Sequence, residues 1–157
     1  MQANHGELSL SAWQSRYMGK STLLVDVMGY PHVCARCGTR QQWVWAVEAR
    51  ALGRDGTVEA IATDQELPVH IARSVLTAAG RPDAATLLGQ RRERGRSFNP
   101  NVCAHCGHQE CWHAFESVVV AGAHAPRDPI ASAPHPVPEW RQLMASLRNY
   151  ECWHVGR

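Results

Sequence analysis

The pattern of apolar and polar positions along this chain predicts strands in its first half and near residue 120. Residues 23–28 are mostly apolar and residues 43–47 are aromatic or β-branched, which is typical of strands. Asp55-Gly56 is a strong hairpin turn signal, and residues 57–61 can return beside the second run. The β-branched run at 118–120 predicts a further strand. Together these runs favour a small antiparallel sheet.

Helical signals lie between and after these strands. Residues 63–66 have the form of a capping box, and an apolar face at helical spacing continues until Gly80 and Pro82. Asp83 can cap a second helix. Residues 64–95 are therefore predicted to be an inserted helical pair.

Five of the nine prolines lie between positions 126 and 138, so residues 123–138 are predicted to be an extended linker. An amphipathic helix follows at 139–157. Its apolar residues recur at i, i+3, i+4 and i+7, and they are Trp140, Leu143, Met144 and Leu147. This stripe packs either on the core of the protein or on a partner protein.

Six cysteines are present, and four of them form two copies of Cys-x-x-Cys-Gly. The ligands predicted from these copies are Cys34, Cys37, Cys103 and Cys106. Two thiolates separated by two residues can bind Zn²⁺ from one tight turn, and the following glycine suits that turn. Two such turns supply the four ligands of a closed structural zinc site. A disulfide framework, a redox pair and two separate metal sites are the alternatives.

These two segments, residues 34–38 and 103–107, resemble the zinc-ribbon superfamily. The resemblance implies one zinc ion between two β-hairpin knuckles, and zinc ribbons often contact nucleic acid. The sequence departs from simple ribbons because residues 38–102, 65 residues in all, separate the cysteine pairs.

The expected fold is therefore an α+β domain built on a zinc ribbon, with a small antiparallel β core. Residues 1–30 are expected to pack on the core, and residues 31–122 to form the zinc-ribbon domain. The helical insert 64–95, the linker 123–138 and the amphipathic helix 139–157 complete the organisation.

The tetrapeptide Glu-Cys-Trp-His occurs twice, at 110–113 and 151–154. On a strand, residues i and i+2 point to the same face, so each copy would present a thiolate and an imidazole together. A second zinc site is predicted on this basis, with the ligands Cys111, His113, Cys152 and His154. The alternative is that these cysteines are ordinary core residues.

The charge pattern offers a nucleic-acid interface as a further hypothesis. Sixteen Lys and Arg residues against fourteen Asp and Glu residues give a net charge of only +2, which is weak for a general nucleic-acid coat. One local cluster stands out because arginine binds phosphate bidentately and phenylalanine stacks on bases. Its members are Arg91, Arg92, Arg94, Arg96 and Phe98.

Two motifs that suggest an enzyme are incomplete. Residues 19–22 copy the end of a phosphate-binding loop, but Gln14 stands where its first glycine belongs. His5 and Glu7, followed by the first cysteine pair, have the order found in zinc deaminases. Only four residues precede His5, and a deaminase site would leave the second cysteine pair unexplained.

The function expected from the sequence is that of a non-catalytic zinc protein acting as a protein-interaction adapter or regulator through a Trp-rich surface and the C-terminal helix. Nucleic-acid binding is the alternative, and a zinc deaminase is the remote one. No run approaches the ~18 apolar residues of a membrane helix, and the N-terminus lacks the order of a secretion signal, so a cytoplasmic protein is expected.

Overall fold

A computed structural model describes residues 19–50, 59–89, 98–126, 128–146 and 154–156. Strands and helices are numbered here in chain order. They are β1 (Thr22–Val33), β2 (Arg40–Ala49), β3 (Glu59–Ala62), α1 (Glu66–Ala78), α2 (Pro82–Thr86), α3 (Trp112–His124), β4 (Pro129–Pro136), α4 (Val137–Ser146) and β5 (His154–Gly156).

Within the described ranges the strands form one five-stranded sheet in the order β4-β1-β2-β3-β5. Every neighbouring pair is antiparallel. The predicted strands at 23–28 and 43–47 are confirmed as parts of β1 and β2. The fold is thus a mixed α+β fold, as expected, but its sheet is wider than the small hairpin core of a ribbon.

The sheet buries apolar side chains on both faces. One cluster joins Val25, Val27 and Val47 of the sheet to α1 and α4. The other joins Trp43 and Trp45 to α3. All side chains from Trp43 to Ala49 in β2 are buried, which explains why this segment has no polar alternation.

An irregularity in β2 increases the contact with α3. Met28 pairs with Ala46, whereas the next residue, Gly29, pairs with Val44, so Trp45 is an extra residue in β2. Trp45 and Ala46 therefore both pack in the α3 cluster, although consecutive strand residues normally face opposite sides. This β-bulge places a complete indole ring beneath α3.

Residues 118–120 are helical, so the strand predicted there is wrong. The run belongs to α3, in which Phe115, Val119 and Gly122 lie on one helix face and are buried. Burial of this face against the sheet outweighs the slight helix penalty of β-branched residues, which is a few tenths of a kcal/mol each.

The proline-rich segment is also different from its prediction. Residues 129–136 form β4, an edge strand that pairs with the first half of β1, and not a free linker. Pro134 lies opposite Leu24 and Pro136 opposite Thr22. Proline is tolerated on an edge strand where its nitrogen points away from the neighbouring strand. The ends of the predicted linker are helical, since α3 extends to His124 and α4 begins at Val137.

The helix predicted at 139–157 is present in part as α4, which ends at Ser146, whereas residues 154–156 form β5 and the prediction is wrong there. Trp140 and Leu143 are fully buried in the α1 side of the core, and Met144 packs against the same cluster. Leu147 lies outside the described residues. The assignment of Trp140 and Leu143 to partner binding is therefore corrected, because the sheet and α1 already cover them. The predicted Trp-rich surface is corrected as well, since Trp43 and Trp45 are also buried.

The helices α1 and α2 lie within the predicted helical insert 64–95, but α2 is only 5 residues long. The N-terminal 18 residues and the Asp55-Gly56 turn lie outside the described residues. In the part of the chain that the structure describes, every helix is too short or too polar to cross a membrane.

We predict that Gly122→Ala destabilises the protein. A Cβ atom at Gly122 would lie 2.6 Å from the buried Trp45 ring, so the helix must shift. In an exposed helix the same change stabilises by about 1 kcal/mol, whereas overpacking a core costs about 1–3 kcal/mol. Urea unfolding should therefore show a lower free energy of unfolding. Ser117→Ala on the exposed face of the same helix is the control, and equal or greater stability of Gly122→Ala would contradict the packing.

Candidate metal centre

The first cysteine pair lies in the turn between β1 and β2. The Gly38 N–H donates to the Cys34 carbonyl at 2.8 Å, and the Cys34 N–H donates to the Thr39 carbonyl at 3.0 Å. Gly38 has a φ of 72°, a conformation that side chains other than glycine's rarely adopt. The glycine after the second cysteine is thus what closes this turn.

The second pair repeats this turn in the loop that precedes α3. The Gly107 N–H donates to the Cys103 carbonyl at 2.9 Å, and the Cys103 N–H donates to the His108 carbonyl at 2.9 Å. Gly107 has a φ of 67°. The two turns are therefore the same knuckle made twice, as the repeated sequence predicts. Only the first lies on a β-hairpin, whereas a ribbon has a hairpin at both.

The two knuckles meet, and their four sulfur atoms form one cluster. Cys34 Sγ lies 3.8 Å from Cys106 Sγ, and Cys37 Sγ lies 3.6 Å from Cys103 Sγ. All four Sγ atoms lie within 4.8 Å of one another. A tetrahedral metal ion with bonds of about 2.3 Å to sulfur sets its ligands about 3.8 Å apart. The cluster therefore fits a single four-coordinate ion, and it corrects the alternative of two separate sites.

The cysteine thiols affect one another's protonation. Hydrogen bonds from the Thr39 hydroxyl and backbone N–H lower the pKa of Cys37 to about 6. The strongest influence on Cys106, a hydrogen bond from the His108 backbone, also lowers its pKa. Desolvation and the three neighbouring cysteines outweigh that effect and raise the pKa of Cys106 to about 12. Four thiolates this close require a cation.

Two buried asparagines hold the second knuckle against the sheet. The Asn101 side chain accepts from the Val44 N–H at 2.8 Å and donates to the Val44 carbonyl at 3.0 Å, so it bonds β2 as a neighbouring strand would. Asn99 Oδ1 in turn accepts from both the backbone and the side-chain nitrogens of Asn101. Nothing in the cysteine pattern indicates Asn101, because its partner Val44 lies 57 positions away in the sequence.

Glu110 joins the two knuckles outside the sulfur cluster. Its Oε1 accepts from the Ala35 N–H at 2.9 Å and lies 2.9 Å from His32 Nε2. Burial raises the pKa of Glu110, but these hydrogen bonds outweigh burial and hold its pKa below the ordinary value. The His32 ring stacks on Trp43 with a centroid distance of 3.6 Å. The carboxylate thus fixes the first knuckle from a position just beyond the second.

The first copy of the repeated tetrapeptide, on which the second predicted zinc site depends, does not have the predicted strand geometry. Cys111 directly precedes α3 and His113 lies in its first turn, and both are exposed. His113 Nδ1 lies 3.5 Å from Glu116 Oε2. Cys152 and the side chain of His154 lie outside the described residues.

The predicted nucleic-acid residues are only partly described. Phe98 is buried in the core, so the prediction that it stacks on a base is corrected. The remaining members, Arg91, Arg92, Arg94 and Arg96, lie outside the described residues. The same is true of His5 and Glu7 of the deaminase hypothesis.

Comparison with protein-family models, with curated proteins and with solved structures finds no match for this chain, so its functional interpretation depends on the geometry of the cysteine cluster.

We expect the four clustered thiols to be protected from alkylation while a metal ion is bound. Metal-bound thiolates react slowly because the ion withdraws their charge, whereas the exposed Cys111 stays reactive. Iodoacetamide labelling followed by peptide mass spectrometry should modify Cys111 with or without chelator. It should modify the four clustered cysteines only after chelation. Rapid labelling of Cys37 alone in the metal-loaded protein would contradict a four-thiolate centre.

Replacing Glu110 by Gln should weaken metal binding about 10–100-fold, the usual effect of losing a partner that orients metal ligands. The uncharged amide cannot accept equally strong hydrogen bonds from Ala35 and His32. Competition with a chromophoric chelator measures the change. Glu116→Gln is the matched control, since Glu116 pairs with the exposed His113 and bonds to neither knuckle. Equal affinities of the two variants would contradict the role of Glu110.

Proposed function

We propose that this chain is a non-catalytic zinc protein in which one Zn²⁺ ion bound by Cys34, Cys37, Cys103 and Cys106 joins the β1–β2 turn to the loop before α3. The observation that carries the proposal is the spacing of the four sulfur atoms. Soft thiolate ligands in tetrahedral array favour zinc among the common divalent ions. When bound, the ion would supply a crosslink between two distant segments.

The donor set also supports a structural over a catalytic role. Catalytic zinc ions keep one coordination position for water or substrate, whereas four cysteines fill a tetrahedral ion. A deaminase would use the first cysteine pair with a histidine and leave the second pair apart. Here the second pair lies in the same cluster, which argues against that chemistry.

We further infer that the metal-bound end of the molecule is a docking surface for a protein partner. Val33 is 53 % exposed and directly precedes the first knuckle, and Arg40 lies opposite it on β2. Arg36 is exposed within the knuckle, and His105 is exposed within the second. Apolar and basic groups side by side suit an apolar segment of a partner flanked by acidic residues. We therefore assign the proposed adapter function to the two knuckles and not to α4.

Removal of the metal should destabilise the fold. At free zinc a thousandfold above Kd, binding contributes about 4 kcal/mol, which corresponds to about 8–16 °C in Tm for a chain of this size. Calorimetry with and without chelator measures this shift, and Cys103→Ser should abolish it. Cys111→Ser is the control, because Cys111 is exposed outside the cluster. A Cys103→Ser variant with full zinc content and unchanged Tm would contradict the proposal.

The docking surface is tested with two matched valines. Val33 and Val120 are similarly exposed, at 53 % and 47 %, but only Val33 lies at the knuckles. Proteins retained by the immobilised zinc-loaded chain at 0.3 M salt should be lost with Val33→Asp and kept with Val120→Asp. Equal loss in both variants would contradict the surface. Duplex DNA binding that weakens steeply with salt and is lost when Arg91, Arg92, Arg94 and Arg96 are neutralised would instead favour the nucleic-acid alternative.

A further inference from the structure

A second group of metal-binding side chains lies on the other side of the sheet from α3. His135 of β4, Glu139 of α4 and His70 of α1 come together there from three elements. Glu139 Oε2 lies 3.1 Å from His135 Nε2 and 3.7 Å from His70 Nε2. One carboxylate oxygen thus stands between two imidazoles, and the cysteine pattern does not involve any of these residues.

The buried histidine distinguishes this group from an ordinary surface ion pair. His135 is only 1 % exposed, yet its Nε2 lacks a partner with hydrogen-bond geometry in the described part of the chain. The 3.1 Å separation from Glu139 Oε2 is therefore a close approach without a well-aligned N–H···O bond. A buried polar atom in this state destabilises the fold unless another group satisfies it.

We propose that His70, Glu139 and His135 bind a second, exchangeable divalent transition-metal ion. Two imidazoles and a carboxylate are a donor set that suits zinc, nickel or copper. With metal–ligand bonds of about 2.0–2.1 Å, neighbouring donors lie roughly 2.9–3.4 Å apart, which includes the observed distance between His135 and Glu139. The ion would satisfy His135 Nε2 and link α1, β4 and α4.

The third ligand has to move slightly for this site to close. The three donor atoms do not all lie within 4.8 Å of one another, a spacing that only the cysteine group reaches among the described residues. The His70 side chain is 64 % exposed, so it can turn toward Glu139 without disturbing the core. We therefore expect weaker binding than at the four cysteines, with the ion in exchange with solution.

The test is calorimetric titration of Ni²⁺ or Zn²⁺ into the full chain whose cysteine centre is already zinc-loaded. The expected result is one further equivalent, weakened at least tenfold by His70→Ala and by Glu139→Gln. His113→Ala is the matched control, because His113 forms an exposed pair with Glu116 and has no buried histidine beside it. His70 and Glu139 are replaced, and His135 is kept, because replacing the buried His135 would disturb the core.

Side-chain NMR of the histidines provides a second readout. The His135 and His70 ring resonances should shift together as the additional equivalent of Zn²⁺ binds. Absence of a further equivalent, or one that His70→Ala and Glu139→Gln leave unchanged, would overturn the proposal. Since the cysteine centre is loaded beforehand, either result is independent of whether that centre has the proposed structural role.

Discussion

The convergence of four thiols at one point is the constraint on which the knuckle end of this protein depends. Cys34 and Cys106 are separated by 72 positions in sequence, yet their sulfur atoms lie 3.8 Å apart. Sulfur atoms at this spacing repel one another as thiolates, so without a cation some of the thiols keep their protons, as the raised pKa of Cys106, about 12, indicates. An ion that replaced those protons would add a crosslink to the hydrogen bonds of Glu110 and Asn101, which already join the loop before α3 to the β1–β2 turn and to β2.

Polar side chains position the two knuckles, while the apolar core lies on the two faces of the sheet. Asn101 bonds to β2 as a strand would, and Glu110 reaches back to the first knuckle. The two hydrophobic clusters lie on the faces of the sheet and consist of side chains other than the four cysteines. The sheet and the cysteine cluster are thus stabilised by different interactions. Trp43 and Val44 take part in both, since each belongs to a hydrophobic cluster and contacts His32 or Asn101.

The two turns that carry the clustered cysteines were predictable from sequence because each knuckle is a local structure. Its spacing and its glycine are fixed by the geometry of a single turn, so Gly38 and Gly107 identified both turns correctly. Strands β1 and β2 were predictable from their local runs of apolar and β-branched residues, and α4 as far as Ser146 was predictable from its helical periodicity. Glu110 and Asn101 were not, because their roles come from partners that are 57 or more positions away.

Two of the wrongly predicted elements, at 118–120 and 129–136, have a common physical cause. Three valines favour a strand and five prolines favour a linker when neighbours are ignored. In the fold, Gly122 allows α3 to approach Trp45, and the edge of the sheet accepts a strand whose prolines need no further partner. Tertiary contacts decided both segments, and those contacts have no signature within the segments themselves.

X-ray absorption spectroscopy at the zinc edge of the purified full chain tests the central claim most directly. The account predicts one tightly bound zinc per chain with four sulfur ligands at about 2.3 Å, and no such four-sulfur zinc in Cys103→Ser. A first coordination sphere of nitrogen or oxygen ligands, or no bound metal in protein purified without chelator, would contradict it.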